Sequence, residues 1–191
     1  HRLFGRDRET IDEAYPGDVV GLVNPGLFTI GDTLTSDPAL TFDPIPHFAP
    51  ECFGLLRTQD ISKHKQFQKG LKQLEEEGVM QIFYSPDHVR REPVLAAVGE
   101  LQFDVVMSRL ENEYGVKTSV ERLPHALARW IVGDPATISA VYWPSDTIRL
   151  VDQQGRGVML FTTEHLLAYC IKSNPSIKFL LREEVEQTTA Q

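Results

Sequence analysis

The chain has 191 residues, of which 41% are hydrophobic and 24% charged, and its formal net charge is −8. These totals are typical of a globular protein with one domain or two small ones. No apolar run approaches the roughly 18 residues of a membrane span, and no signal-peptide pattern is present, so we expect a cytoplasmic protein without a membrane partner. The acidic balance argues against nucleic-acid binding through overall charge, so any phosphate-facing surface must be a local patch.

The N-terminal residues 1–45 differ from the rest of the chain. The stretch "GDVVGLVNPGLFTIGDTLT" (17–35) consists of short β-branched and apolar runs separated by turn residues, which predicts hairpins of a small antiparallel barrel. About three strands are too few to close a barrel. Because the chain also begins with His1 rather than Met, we expect the C-terminal part of a β-barrel domain, with an exposed strand edge.

A proline-rich stretch, "FDPIPHFAP" (42–50), is the expected linker to a second domain over 46–191. Over about 50–123 the predicted elements alternate as β-α-β-β-α-β, the split βαβ or ferredoxin-like arrangement. The first helix is predicted to begin at Ser62 as N-cap and to end before Gly78. The predicted strands have the sequences "ECFGLLRT", "VMQIFYS", "PVLAAVG" and "KTSVERL".

Residues 124–191 form a further predicted lobe, with short helices near 135–140 and 162–173. Its strands are predicted in "ALARWIV", "TIRLV", "GVMLF" and "IKFLL", and no internal repeat is recognisable. The fold class is therefore α+β: a ferredoxin-like split βαβ domain with an appended α+β lobe, preceded by the tail of a β-barrel domain. Cys52 and Cys170 lie in apolar contexts without metal-type spacing, so we expect buried, reduced thiols.

The predicted helix over 100–114 decides whether a catalytic site should be sought. Glu100 and Asp104 share its first turn, where the helix dipole stabilises carboxylates by about 0.3–1 kcal/mol each. No histidine or lysine is positioned to support acid–base work. We therefore interpret this helix as a packing element with one broad apolar face, formed by Phe103, Val106, Met107, Leu110 and Tyr114.

The predicted helix over 62–78 carries charge in an unusual order. Lys65, Lys69 and Lys72 form a stripe about 200° from the apolar stripe of Phe67, Leu71 and Leu74, at 100° per residue. Cations occupy its N-terminus and acids its C-terminus, so both ends oppose the helix dipole, and the pair Lys65 and Lys69 costs about 0.2–0.5 kcal/mol. A phosphate-bearing partner is one explanation of this pattern, and a solvated polar face, which is favoured for a helix considered alone, is the other.

The rest of the chain offers weaker candidates. It contains no phosphate loop, zinc-protease, nucleophile-elbow or C-x-x-C motif. The six histidines are scattered without the spacing of metal ligands. Arg90 and Arg91 belong to a small basic loop, and Arg156 is expected at a hairpin tip, exposed and uncommitted.

Several segments are similar to translational GTPases. The stretch 17–35 resembles the end of their β-barrel second domain, and 99–116 resembles the third-domain helix of elongation factor G and its relatives. The segments 57–83, 96–116, "ARW" and "HLLAYCIKSNPSIKFLLRE" more specifically resemble the bacterial class II peptide chain release factors. The resemblance covers almost the whole chain, but no residue matches the family's phosphate loop or switch regions.

The resemblance implies a non-catalytic, ribosome-docking C-terminal region of a translation-termination GTPase that promotes dissociation of class I release factors. GTP and Mg²⁺ would belong to an N-terminal domain absent from this chain, so we expect neither cofactor here. The implied partners are ribosomal RNA and ribosomal proteins, and indirectly class I release factors. The candidate ribosome contacts are Lys63, Lys65, Lys69, Lys72, Arg90, Arg91 and Arg156.

Two other hypotheses remain open. The chain could be a fragment of an elongation-factor-like or ribosome-protection GTPase, although the block beginning at His165 argues against this. A small-molecule enzyme with an α+β fold is a different class, which saturable turnover would reveal.

Overall fold

The computed structural model describes residues 2–4, 7–23, 27–28, 31–40, 42, 48–86 and 92–189. The chain divides into two compact units, His1–Pro44 and Ile45–Gln191. In the first unit, strand β1 (Arg2–Phe4) pairs antiparallel with β2 (Asp7–Glu9). The described residues of 17–35 form turns and irregular chain apart from one bridge position at Val20, rather than the expected hairpins. That 1–45 is the end of a β-barrel stays a prediction.

The second unit begins with the split βαβ arrangement that the sequence predicts. Its sheet has the order β4-β5-β3-β6 and is antiparallel throughout. The strands are β3 (Cys52–Thr58), β4 (Gln81–Phe83), β5 (Val94–Ala97) and β6 (Thr118–Leu123). Two helices, α1 (His64–Glu76) and α2 (Leu101–Tyr114), pack on one face of this sheet. The ferredoxin-like core is confirmed.

The appended lobe repeats the topology of the first. Its elements are β7 (Leu127–Val132), α3 (Pro135–Ala140), β8 (Thr147–Val151), β9 (Gly157–Phe161), α4 (Glu164–Ser173) and β10 (Lys178–Leu180). The strand order is β10-β7-β9-β8, again antiparallel throughout. Within each lobe the fourth strand lies beside the first, then come the third and the second, so this lobe is a second β-α-β-β-α-β unit. A last helix, α5 (Arg182–Thr189), follows it.

The two sheets pack face to face, and the helices cover their outer faces. In strand β3, Phe53 lies in the core between the sheets while Leu56 lies in the core under α1 and α2. In strand β9, Val158 lies between the sheets while Met159 faces α3 and α4. This period-two alternation explains the apolar runs from Cys52 to Leu56 in β3 and from Val158 to Phe161 in β9, because both faces of these central strands are covered. The unit therefore has four layers: helices, sheet, sheet, helices.

A short connection joins the sheets at one edge. Tyr84, next to β4, and Val151, at the end of β8, form an isolated antiparallel bridge with both backbone hydrogen bonds at 2.8 Å. The edge strand β4 of one sheet is thereby continued by the edge strand β8 of the other. Because the two lobes share both a core and a main-chain connection, we expect them to behave as one body.

The ends of α1 follow capping rules, with one correction. A single 3₁₀ turn, Ile61–Lys63, precedes α1, and the Asp60 carboxylate accepts the Ser62 amide at 2.9 Å. The prediction of Ser62 as N-cap was therefore wrong, since Asp60 caps the extra turn. At the other end the prediction is confirmed: Gly78 follows the helix with φ 69°, a conformation that glycine adopts without strain.

Candidate functional site

The lysine stripe of α1 faces outward. Phe67, Leu71 and Leu74 are buried on the opposite side of the helix, as predicted. Lys65, Lys69 and Lys72 are all exposed. We call these three residues the lysine face. It is cationic on a chain whose net charge is −8.

The lysine face forms only one weak ion pair within the described part of the chain. Lys72 Nζ lies 3.6 Å from a carboxylate oxygen of Glu76, and both side chains are more than half exposed. Such surface pairs contribute at most about 1 kcal/mol, so Lys72 stays available. Lys65 and Lys69 form no ion pair with any residue that the structure describes.

The acidic end of α1 has a structural explanation. Arg109 of α2 donates to carboxylate oxygens of both Glu77 and Glu113. Its hydrogen bond lowers the pKa of the Glu77 carboxyl. Glu75 accepts the Ile82 amide of the edge strand β4 at 3.3 Å. Two of the acids that oppose the helix dipole are therefore used in packing α1, whereas nothing in the described structure uses Lys65 and Lys69.

Lys63 has a different role from the lysine face. Its Nζ donates to the Gly115 carbonyl at 2.6 Å, at the C-terminus of α2. A cation at a helix C-terminus satisfies a free carbonyl and complements the dipole. Lys63 thus joins the start of α1 to the end of α2, and it is less available to a partner than the other three lysines.

The expectation that Arg156 is exposed and uncommitted was wrong. Its Nε donates to Asp152 Oδ2 at 2.6 Å, and its side chain is 26% exposed. The same oxygen accepts Trp130 Nε1 at 2.8 Å, while Oδ1 accepts the amides of Gln154 and Arg156. The β8–β9 turn is organised around the buried Asp152 carboxylate. The sequence "DQQGRG" held this signal, because an aspartate followed closely by glycine often bonds to its own turn.

Two candidates of the basic loop, Arg90 and Arg91, lie outside the described residues. Glu100 and Asp104 are exposed on α2, and Glu100 pairs with Arg122 at 2.9 Å. Phe103, Val106 and Leu110 are buried beneath the same helix. The geometry therefore agrees with a packing role for α2.

Burial affects a few other titratable groups in the described part of the chain. Desolvation raises the pKa of Glu75 to about 7 and lowers the pKa of the buried His125. Cys170 is buried and Cys52 is half-buried, and both are free thiols. Over the described ranges, no cluster of histidine, cysteine and carboxylate side chains is arranged to hold a metal ion.

An open concavity of about 420 Å³ lies between Lys63 and Lys117 at the end of the helical layer. Of the helices that are described, none is both long and apolar enough to span a bilayer. The fold and the lysine face together define an α+β protein with an exposed cationic helix face.

Comparison with known proteins places this module among the translation factors. Residues 1–37 match the family model of elongation factor G domain 2. Residues 42–171 match the model described as class II release factor RF3, C-terminal domain, and the chain belongs to this family.

Individual relatives agree with the family match. The chain is 48% identical over 177 residues to peptide chain release factor 3 of Nostoc punctiforme, covering 93% of this chain and 33% of that protein. It is 49% identical over 177 residues to peptide chain release factor 3 of Synechococcus elongatus, covering 93% of this chain and 32% of the relative. The chain thus spans about a third of the length of these curated relatives.

Proposed function

We propose that this chain docks on the ribosome as the C-terminal region of a translation-termination GTPase that promotes dissociation of class I release factors. The observation that carries the proposal is the lysine face of α1. Three exposed lysines share one side of a helix on an acidic chain, and the first of them, Lys65, lies in the first turn, where a cation opposes the dipole. Family membership supplies the context in which such a face has a use.

The lysine face fits the phosphate backbone of ribosomal RNA. Lysine ammonium groups bind phosphates by displacing condensed counterions, so affinity falls as salt rises. Lys65, Lys69 and Lys72 lie about one helical turn apart, so their ammonium groups follow the helix axis. We infer that this face makes the RNA contact, and that Lys63, Arg156 and the basic loop of Arg90 and Arg91 contribute less.

The chain's role in this proposal is mechanical. Gly70 lets α1 approach α2 closely, since a Cβ at this position would lie 2.7 Å from Leu110 Cδ2. A rigid helix pair on a double sheet transmits a force at the lysine face to the rest of the protein. Nucleotide hydrolysis, with GTP and Mg²⁺, is assigned to the part of the relatives that this chain does not span.

Sedimentation with ribosomes tests the proposal. The 191-residue chain should pellet with ribosomes, and the pelleted fraction should fall as salt rises. The variant Lys65→Glu/Lys69→Glu/Lys72→Glu should lose most of this binding. A matched control, Lys117→Glu/Lys172→Glu/Lys178→Glu, changes the net charge equally at exposed lysines elsewhere. Equal pelleting of the two variants, or no pelleting of the unmodified chain, would contradict the proposal.

A further inference from the structure

The neighbouring helix α2 carries an exposed apolar surface that the fold does not use. Leu101 is 79% exposed, Val105 is 48% exposed, and Val98, just before the helix, is 45% exposed. We call these three residues the aliphatic ridge. The inward face of α2 is already filled by Phe103, Val106 and Leu110. The ridge is therefore additional to the core.

The ridge is held in place rather than being a loose end. Gln102 Oε1 accepts the amides of Val98 at 2.7 Å and Gly99 at 3.2 Å, which folds the preceding segment onto the helix. Gln102 Nε2 donates to the Val79 carbonyl at 3.0 Å, beside the end of α1. Single exposed aliphatic residues are ordinary on protein surfaces, but three within the eight residues 98–105, on a segment that Gln102 holds in place, favour a surface that a partner covers.

Three acidic residues neighbour the ridge along the chain or across the backbone. Glu100 and Asp104 flank Leu101 in the first turn of α2, and Glu51 bonds through its amide to the carbonyl of Ala97, the neighbour of Val98. Arg122 pairs with Glu100, while Asp104 and Glu51 form no ion pair with a described residue. The surface is therefore apolar at its centre and anionic at its rim.

We infer that the aliphatic ridge of α2 docks a basic, amphipathic segment of a protein, in contrast to the RNA contact assigned to α1. Carboxylates repel phosphates, and aliphatic side chains offer no aromatic surface on which bases stack, so the ridge does not suit RNA. A lysine- or arginine-rich protein segment with its own apolar residues complements both the centre and the rim. This inference rests on ribosome docking, and it divides the outer helical layer between two kinds of partner.

The direction in which one charge substitution shifts ribosome binding distinguishes a basic protein from RNA as the partner of the ridge. In sedimentation with ribosomes, Asp104→Lys should weaken binding if a basic protein covers the ridge, and strengthen it if RNA does. The variant Leu101→Ser/Val105→Ser should weaken binding roughly ten-fold, because two aliphatic anchors of an interface are lost. Ile171→Ser and Asp146→Lys, at exposed positions of the second lobe, are the matched controls and should leave binding unchanged. Circular dichroism should show that all four variants stay folded.

A photo-crosslinking amino acid at position 101, compared with one at position 69, separates this inference from the proposed function. We expect position 101 to form adducts with a basic ribosomal protein and position 69 with ribosomal RNA. Adducts of position 101 with RNA, with a second copy of the chain or with nothing, while position 69 still gives RNA adducts, would overturn the inference alone. Failure of the unmodified chain to bind ribosomes would overturn both.

Discussion

Asp152 uses both of its carboxylate oxygens, and each holds a different part of the second lobe. One oxygen accepts the Trp130 indole and the Arg156 guanidinium, and the other accepts two amides of the β8–β9 turn. Because the carboxylate is 7% exposed, water cannot replace a lost partner. This residue therefore fixes the turn, the indole of Trp130 and the arginine together.

Removing the Asp152 carboxylate should lower the free energy of unfolding substantially. Asp152→Ala leaves the buried Trp130 N–H unpaired and the Arg156 charge without its partner, so we expect a loss of about 2–4 kcal/mol in the free energy of unfolding. Urea denaturation followed by tryptophan fluorescence measures it. Asp146→Ala, at an exposed position, should stay within about 0.5 kcal/mol of the unmodified protein. A similarly small effect for Asp152→Ala would show that the network contributes little.

Gly70 marks the crossing point of α1 and α2. An added Cβ would lie 2.7 Å from Leu110 Cδ2 and 3.0 Å from the Tyr114 ring. We expect Gly70→Ala to destabilise the protein by about 1–2 kcal/mol, since overpacking outweighs the better helix propensity of alanine. Denaturant unfolding of Gly99→Ala provides the control, because a Cβ there meets nothing within 4 Å. A stabilised Gly70→Ala protein would mean that the helix pair can move apart freely.

At the scale of the element, α1 is coupled to the edge of the first sheet through Glu75. Burial raises the pKa of this carboxyl to about 7 from its ordinary 4.5, while its Oε1 accepts the Ile82 amide. The folded protein therefore keeps the proton between these pH values whereas the unfolded chain releases it. By linkage, the Glu75 contribution to stability falls as pH rises from about 4.5 to 7.

The variant Glu75→Gln should remove that dependence. Glutamine stays neutral and can still accept the Ile82 amide, so its stability relative to the unmodified protein should increase between pH 5 and pH 8. Thermal unfolding across this range measures the difference, with Glu51→Gln as an exposed control. A constant difference between the two proteins across the range would show that the Glu75 carboxyl titrates normally.

The elements of the first lobe could be predicted from sequence because local signals agree with the final packing. The buried side of α1 was predicted by the spacing of Phe67, Leu71 and Leu74. The end of α2 was predicted by Gly115, which has φ 66°. The cap of α1 was missed because Asp60 and Ser62 are both good caps, and only the extra 3₁₀ turn selects the aspartate. The pairing of Arg156 with Asp152 is local and was missed in the turn sequence, whereas the bond from Trp130 to Asp152 spans 22 positions and no local pattern reveals it.

The repeat of topology was also invisible in the sequence. Its first helix, α3, has 6 residues where α1 has 13, so the two lobes share no periodic pattern. Strand order emerges only from pairing at long range. The sequence predicted the lysine face as a pattern, whereas only the structure shows that Lys65 and Lys69 form no ion pair within the described part of the chain.

At the scale of the whole molecule, the second unit has one continuous interior between its sheets. Phe53 and Phe83 from the first sheet belong to the same core as Trp130 and Val158 from the second. Phe83 and Trp130 meet edge to face, with ring centroids 5.8 Å apart. Neither lobe buries its inner face without the other, so we expect 45–191 to unfold in a single transition.

The variant Phe53→Ala tests this shared interior. It should destabilise the unit by about 3–5 kcal/mol while far-UV circular dichroism and tryptophan fluorescence still report one coincident transition. Both tryptophans lie in the second lobe, so fluorescence reports chiefly on that lobe, although Trp130 also senses Phe83 across the interior. Tyr142→Ala, at a residue 91% exposed, is the control. Loss of circular dichroism before fluorescence would mean that the first lobe unfolds independently.

The face-to-face arrangement of the sheets also fixes the distance between the two outer helical layers. Three interlayer spacings of roughly 10 Å each separate the axes of α1 and α4 by about 30 Å. The lysine face and the opposite helical layer are therefore separate surfaces, too far apart for one side chain or loop to contact both. The unit is in effect a spacer of fixed thickness, whose two outer surfaces are free to diverge in sequence while the paired sheets between them keep their separation constant.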